Sequence, residues 1–299
     1  MKIAVTGSRG LIGSSLVAHL RSDGHQVIRI VRDKATENDV VWNPKERSID
    51  TDKLDGLGAV VHLAGAGVGD HRWSDSYKQE ILSSRIDGTT VLAEAMAQLA
   101  HPPAVMVSAS AVGYYGSRAN ETLTEDSGPG SGFLADVCQQ WEAATAAASA
   151  AGIRVVHLRT GVVLSAAGGA LQKQLLPFRL GLGARLGNGK QQFSWITRRD
   201  AVSAVSFLLA DAGASGPFNL TAPEPVPNSS FTRELGRTLK RPALLVVPEA
   251  VLRVVVGEEM TSEFLVASQR AVPERLRLAG FVFADPTLPE ALVTAVGDR

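Results

Sequence analysis

The 299-residue chain has one cysteine, Cys138, so no disulfide can form within it. Its six histidines do not cluster with that cysteine at metal-ligand spacings, and no metal is expected. Charge of either sign is not in excess: Lys+Arg and Asp+Glu both number 30, which removes the global attraction that a nucleic-acid binder needs. No apolar run approaches the length of a membrane span, and the start Ile3-Ala4-Val5 is broken at Gly7, too early for a secretory h-region. A cytoplasmic protein without a membrane or nucleic-acid partner is therefore expected. Aromatics are sparse, and the only tyrosines are Tyr77, Tyr114 and Tyr115. What is plentiful is apolar residues, at 45%, in a chain long enough to bury about three quarters of its unfolded surface.

Short β-branched runs at Ile3–Thr6, Gln26–Val31, Val40–Trp42, Ala59–Leu63, Ala104–Val107 and Arg154–Leu158 read as strands. Most are continuously apolar, as strands covered on both faces should be. Leu11–Ser22, Ser74–Ala100 and Phe133–Ala151 read as intervening helices, the last stopped by Gly152. This alternation predicts an α/β fold with a Rossmann-type, doubly wound parallel sheet. A helix is expected at Asp200–Ala210 and a strand at Pro217–Leu220. The proline-rich stretch 222–227 then suggests a boundary, dividing a domain over 1–221, with insertions around 165–199, from a smaller mixed α/β C-terminal lobe over 222–299.

Gly7-Ser8-Arg9-Gly10-Leu11-Ile12-Gly13 follows the first strand and opens the first helix. The first glycine permits a tight turn, the second lets backbone approach a pyrophosphate, and the third allows close helix-strand packing. A dinucleotide is the expected ligand. At the end of the second strand Val31 stands where an acid would hold the ribose hydroxyls of NAD, and Arg32 follows. Arg9 and Arg32 around a 2′-phosphate favour NADP(H). The competing reading uses Asp33 as the acid, with Arg32 solvated.

These motifs, with Val61-His62-Leu63-Ala64-Gly65-Ala66, Ser108-Ala109-Ser110-Ala111-Val112-Gly113-Tyr114-Tyr115-Gly116, Trp141-Glu142 and Arg159-Thr160-Gly161-Val162-Val163-Leu164, resemble extended short-chain dehydrogenases/reductases. More narrowly, the chain resembles the atypical epimerase-family branch with its own C-terminal domain. The resemblance implies that Leu63, Ala64, Gly65 and Ser108 line the cofactor groove, that Glu80 and Arg85 touch the cofactor across it, and that Val163 lies beside the nicotinamide. On sequence alone Glu80 and Arg85 also read as a solvated helical pair. After Trp195-Ile196 the family usually has histidine, where this chain has Thr197.

The superfamily's Tyr-x-x-x-Lys pair puts both side chains on one helix face. Registered on Trp141-Glu142, its slots hold Leu134 and Cys138, and four residues after the tyrosines stand Ile81, Arg118 and Ala119. An apolar residue cannot carry the proton, and a neutral thiol supplies no positive charge. Cys138 reads as a buried structural residue. Ser110, Tyr114 and Tyr115 are the remaining catalytic candidates: Ser110 resembles the hydroxyl that polarises a substrate carbonyl, and either tyrosine could move a proton. Strand-end capping and wall packing explain them about as well. Gln191, Gln192 and Trp195 suggest a substrate pocket, with core packing the alternative for Trp195. The expected function is a reduction or oxidation-reduction epimerisation of a small polar carbonyl or sugar-like substrate by a monomer or homodimer. The alternatives are a catalytically silent NADPH sensor or scaffold, or a conventional sugar-nucleotide epimerase.

Overall fold

A computed structural model describes residues 1–33 and 35–298. Strand β1 (Lys2–Thr6) passes through the glycine loop into helix α1 (Leu11–Ser22), followed by β2 (Gln26–Val31), β3 (Val40–Asn43), β4 (Ser48–Ile49), β5 (Ala59–His62), α2 (Asp75–Ala97) and β6 (Val105–Ala111). Then come β7 (Thr122–Leu123), α3 (Phe133–Ala143), α4 (Ala146–Ala150), β8 (Arg154–Thr160), β9 (Val162–Leu164), α5 (Gly169–Arg179), β10 (Ala184–Leu186), β11 (Gln192–Phe193) and β12 (Trp195–Thr197). The remainder holds α6 (Arg198–Ala210), β13 (Gly216–Leu220), β14 (Val226–Pro227), α7 (Asn228–Thr238), β15 (Leu245–Val247), α8 (Glu249–Val256), α9 (Glu258–Met260), β16 (Arg270–Ala271), α10 (Glu274–Leu278) and α11 (Leu288–Gly297).

One sheet contains eight strands in the order β13-β8-β6-β5-β1-β2-β3-β4. β1 pairs in parallel with both β2 and β5, as does β2 with β3 and β5 with β6. Strands β2 and β3 extend the sheet on one side of β1, and β5 and β6 extend it on the other. The strand order therefore reverses between β1 and β5, the switch point outside which open α/β sheets bind ligands. This is the expected Rossmann-type fold. Of the strands in this sheet, only two-residue β4 went unforeseen; it closes the edge by pairing antiparallel with β3 and is too short to give a periodic signal.

One further expectation needs correction. The helix read as Phe133–Ala151 is two helices, broken where the Thr145 hydroxyl donates to the Glu142 carbonyl. Alanine propensity alone runs through this point, but a side chain bonding the backbone three residues back competes with the helix. By contacts, the chain forms two compact units whose segments alternate along the sequence. One unit comprises 1–110, 137–158 and 202–217; the other comprises 111–136, 159–201 and 218–299, and the two are of comparable size. Local composition marks the proline-rich connection, whereas a compact unit is defined by contacts between segments far apart in sequence.

The first unit is packed around Ile28, Ile30, Trp42, Val60, Leu92, Met96 and Met106. The second is packed around Leu171, Phe178, Trp195, Phe231, Leu235 and Leu292. The second unit is knitted by two-stranded pairings of β7 with β16, β9 with β12, β10 with β15 and β11 with β14. Among the described residues, no helix is long and apolar enough to cross a membrane.

Candidate functional site

The glycine loop has the shape its spacing predicts. Gly7 has φ +63°, and a Cβ there would stand 2.7 Å from the Leu63 carbonyl carbon and oxygen. A Cβ on Gly13 would meet the Gly7 oxygen at 2.2 Å. The loop closes through a Gly10 amide donating to the Gly7 carbonyl at 2.9 Å. No side chain caps α1 at Gly10, and its first turn, which includes Leu11 and Ile12, holds no acid. The positive end of this helix is thus left for an anion. Ser8 is buried, and its Oγ has no hydrogen-bond partner.

The neighbouring loop after β5 is fixed by a buried threonine. Thr6 Oγ1 accepts the amide protons of Leu63 and Ala64 at 3.0 and 3.2 Å and lies 2.8 Å from His62 Nδ1. With both lone pairs of the hydroxyl engaged, its proton goes to Nδ1, so the neutral imidazole carries its own proton on Nε2. Burial pushes the His62 pKa down to about 4. The unfolded chain takes up this proton near pH 6.5 and the folded one does not, so stability is complete above pH 6.5 and declines as pH falls towards 4. Urea unfolding should lose about 2–3 kcal/mol between pH 6.5 and 4.5. A slope unchanged in His62→Leu would assign the loss to other groups.

Arg85 on α2 is buried, at 8% exposure, although the sequence alone also allowed a solvated pair. Its guanidinium stacks over the Trp141 ring at 4.9 Å and lies against Gly65, where a Cβ would stand 3.4 Å from Arg85 Cζ. Of five N–H donors, one is satisfied within the described residues, through Nη1 to the Ile81 carbonyl at 2.9 Å. Burial lowers its pKa, and neighbouring Cys138 and Tyr77 partly offset this. Glu80, by contrast, is exposed. The loop is also tied to α2 by the Ala66 amide, which donates to Ser84 Oγ at 3.0 Å.

At the second strand's end, Val31 is buried and Arg32 is exposed. Arg9 pairs with the Asp33 carboxylate at 2.6 Å, and both side chains are solvent-exposed. The loop arginine therefore does reach this strand end, but the partner it meets there is Asp33.

Ser108 and Ser110 lie on β6, both buried. Ser110 donates its proton to Glu142 Oε1 at 2.7 Å, a contact that no sequence spacing indicated. Cys138 is buried, as expected.

In the second unit, Tyr115 is fully buried; its hydroxyl donates to Asn219 Oδ1 at 2.7 Å and accepts from Arg159 at 3.1 Å. Burial pushes its pKa up to about 12, despite Arg159. Tyr114 is half-buried, with the Arg159 guanidinium 3.5 Å over its ring. Val163 is half-buried on β9. Gln191 and Gln192 line a cavity of about 590 Å³ with Asn120, Asn188, Lys190 and Ser268, a set that contains no cofactor candidate. Trp195 belongs to the core instead, its Nε1 donating to the Glu224 carbonyl at 3.1 Å. Thr197 gives its hydroxyl proton to Asp285 and accepts from the Asp200 amide. It thus joins a buried network at the start of α6.

Residues 3–221 match the family described as NAD dependent epimerase/dehydratase. The chain belongs to this family. Residues 247–295 of this epimerase-family chain match a domain of unknown function, DUF1731. The chain is 45% identical over 291 residues to Epimerase family protein MT2273 of Mycobacterium tuberculosis (strain CDC 1551 / Oshkosh), covering 97% of this chain and 96% of that one. It is 36% identical over 305 residues to Epimerase family protein YfhF of Bacillus subtilis (strain 168), covering 100% and 99%. The crystal structure of human epimerase family protein SDR39U1 (isoform2) with NADPH aligns over 100% of both chains, with a TM-score of 0.90 at 30% identity. Within this epimerase-family fold, Leu134 and Cys138 lie on α3 four residues apart, so they share a helix face.

Proposed function

We propose that the chain is an NADP(H)-dependent oxidoreductase or epimerase acting on a small polar carbonyl or sugar-like substrate. The glycine loop carries this reading: Gly7 and Gly13 leave no room for a side chain, and the buried Ser8 hydroxyl has no partner of its own. The loop amides and the start of α1 would hold the pyrophosphate, and the largely unsatisfied Arg85 guanidinium would meet an oxygen-rich part of the cofactor. NADPH in the structure of the human relative supports the same cofactor here. When bound, the nicotinamide supplies or accepts hydride.

Preference for the 2′-phosphate rests on Arg9 and Arg32. An exposed ion pair such as Arg9 with Asp33 contributes only about 0–1 kcal/mol, so exchanging Asp33 for a phosphate costs little. Titration calorimetry should give NADPH an affinity at least tenfold tighter than NADH, and Arg9→Ala/Arg32→Ala should remove that difference. Tighter NADH binding by the unaltered protein would overturn the preference.

Tyr115 has its hydroxyl engaged on both sides and fits a scaffold role; Ser110 and Tyr114 remain as proton-handling candidates. A second reading, a cofactor-binding sensor without turnover, is favoured by the occupants of the Tyr and Lys slots, Leu134 and Cys138. Oxidation of bound NADPH by a panel of carbonyl compounds separates the two.

A further inference from the structure

We infer that Ser110 and Glu142 form a two-residue proton relay that takes over the acid-base work of the absent Tyr/Lys pair; this rests on the NADP(H) reading above. Three observations carry it. Ser110 lies on β6, beside β5 in the middle of the sheet and within two residues of the strand's carboxyl end. Its side chain is buried, at 3% exposure, yet it meets a carboxylate brought from another element, with Oγ donating to Glu142 Oε1 at 2.7 Å. Glu142 stands four and eight residues beyond Cys138 and Leu134, so one face of α3 carries both slot residues and then this carboxylate.

A serine hydroxyl has one proton to give. With Glu142 ionised, that proton is committed, and Ser110 Oγ can only accept. It is then suited to a substrate alcohol rather than to a carbonyl. In the oxidative direction the alcohol O–H bond breaks and its proton moves to Ser110 Oγ. Ser110's own proton moves to Glu142 Oε1, while the carbinol C–H pair leaves as hydride to an oxidised nicotinamide. The products are a carbonyl, the reduced cofactor and a protonated Glu142, which is half-buried and returns its proton to water. In the reverse direction protonated Glu142 gives its proton to Ser110, and Ser110 gives its own to the nascent alkoxide. Ser110 touches the substrate; Glu142 acts through it.

The test follows NADPH oxidation by the full-length protein with 9,10-phenanthrenequinone and a panel of small aldehydes and ketones, beside NADPH affinity by calorimetry. Glu142→Gln and Ser110→Ala should each lower turnover at least a hundredfold and change NADPH affinity less than threefold. The double variant should be no slower than either single one, because members of a relay are not additive. Glu142→Asp should recover at least a tenth of the lost rate, which a merely structural role for the side chain would not require. Wild-type turnover in Glu142→Gln, or additive losses in the double variant, would overturn the relay; loss only in Tyr114→Phe would give the proton to Tyr114 instead. A protein that binds NADPH but reduces no probe also overturns the relay and supports the sensor reading. Failure to bind NADPH at all would overturn the cofactor reading itself.

Discussion

Gly13→Ala is expected to lower NADPH affinity at least a hundredfold, about 2.7 kcal/mol, in titration calorimetry. The added Cβ would sit 2.2 Å from the Gly7 oxygen, 2.8 Å from the Gly7 carbonyl carbon and 3.0 Å from Ser8 Cα. All three are backbone atoms, so no flexible side chain can move aside. Relief requires α1 to pull away from the loop, which breaks the close approach that lets loop amides reach a pyrophosphate. The helix itself should survive, because alanine favours it over glycine by about 0.8–1 kcal/mol. Circular dichroism close to that of the parent, with affinity lost, is the expected pair of results. Retained affinity would mean that the pyrophosphate is held elsewhere.

Asp39→Ala should cost about 3 kcal/mol of stability, the order found when one partner of a largely buried ion pair is removed. The Asp39 carboxylate is nearly sealed and takes Arg29 Nε and Nη2 at 2.9 and 2.6 Å, with the Thr36 amide and hydroxyl at 2.7 and 2.8 Å. Burial would raise its pKa, but these donors outweigh burial and bring it down to about 2. Its stabilisation is therefore complete above the unfolded-state value near 3.8 and is lost as pH falls through 2. The acid-labile part is about 2 kcal/mol. Denaturant unfolding at pH 7 should show the full deficit of Asp39→Ala, and the difference from the parent should narrow by pH 2. A loss below 1 kcal/mol at pH 7 would show that Arg29 and Thr36 find water as readily as they find Asp39.

The parts of the site legible in the sequence are those whose constraints are local. Gly7 and Gly13 announce a turn and a close helix-strand contact because no other residue fits there, and β1, α1 and β2 follow from periodicity on either side. Arg85 was harder to read. On sequence alone it also reads with Glu80 as a solvated pair, and its burial comes from contacts with Trp141 and Gly65, far from it along the chain. The contact of Ser110 with Glu142 spans thirty-two positions and two elements. Cys138 and Leu134 mark one face of α3, but only the fold brings Ser110 to the carboxylate that follows them on it. For Tyr115 the sequence left a proton carrier and a wall residue equally open, and the partners of its hydroxyl, Asn219 and Arg159, lie far along the chain.

The interleaving of the two compact units has a consequence for synthesis on the ribosome. Residues 111–136 and 159–201 emerge before 218–299, the remaining segment of the unit to which they belong. β7 waits for β16, and the core containing Leu171 and Phe178 waits for Leu292 of the terminal helix. Those apolar surfaces stay unpartnered until residues 218–299 have emerged, a period in which the growing chain is exposed to misassembly.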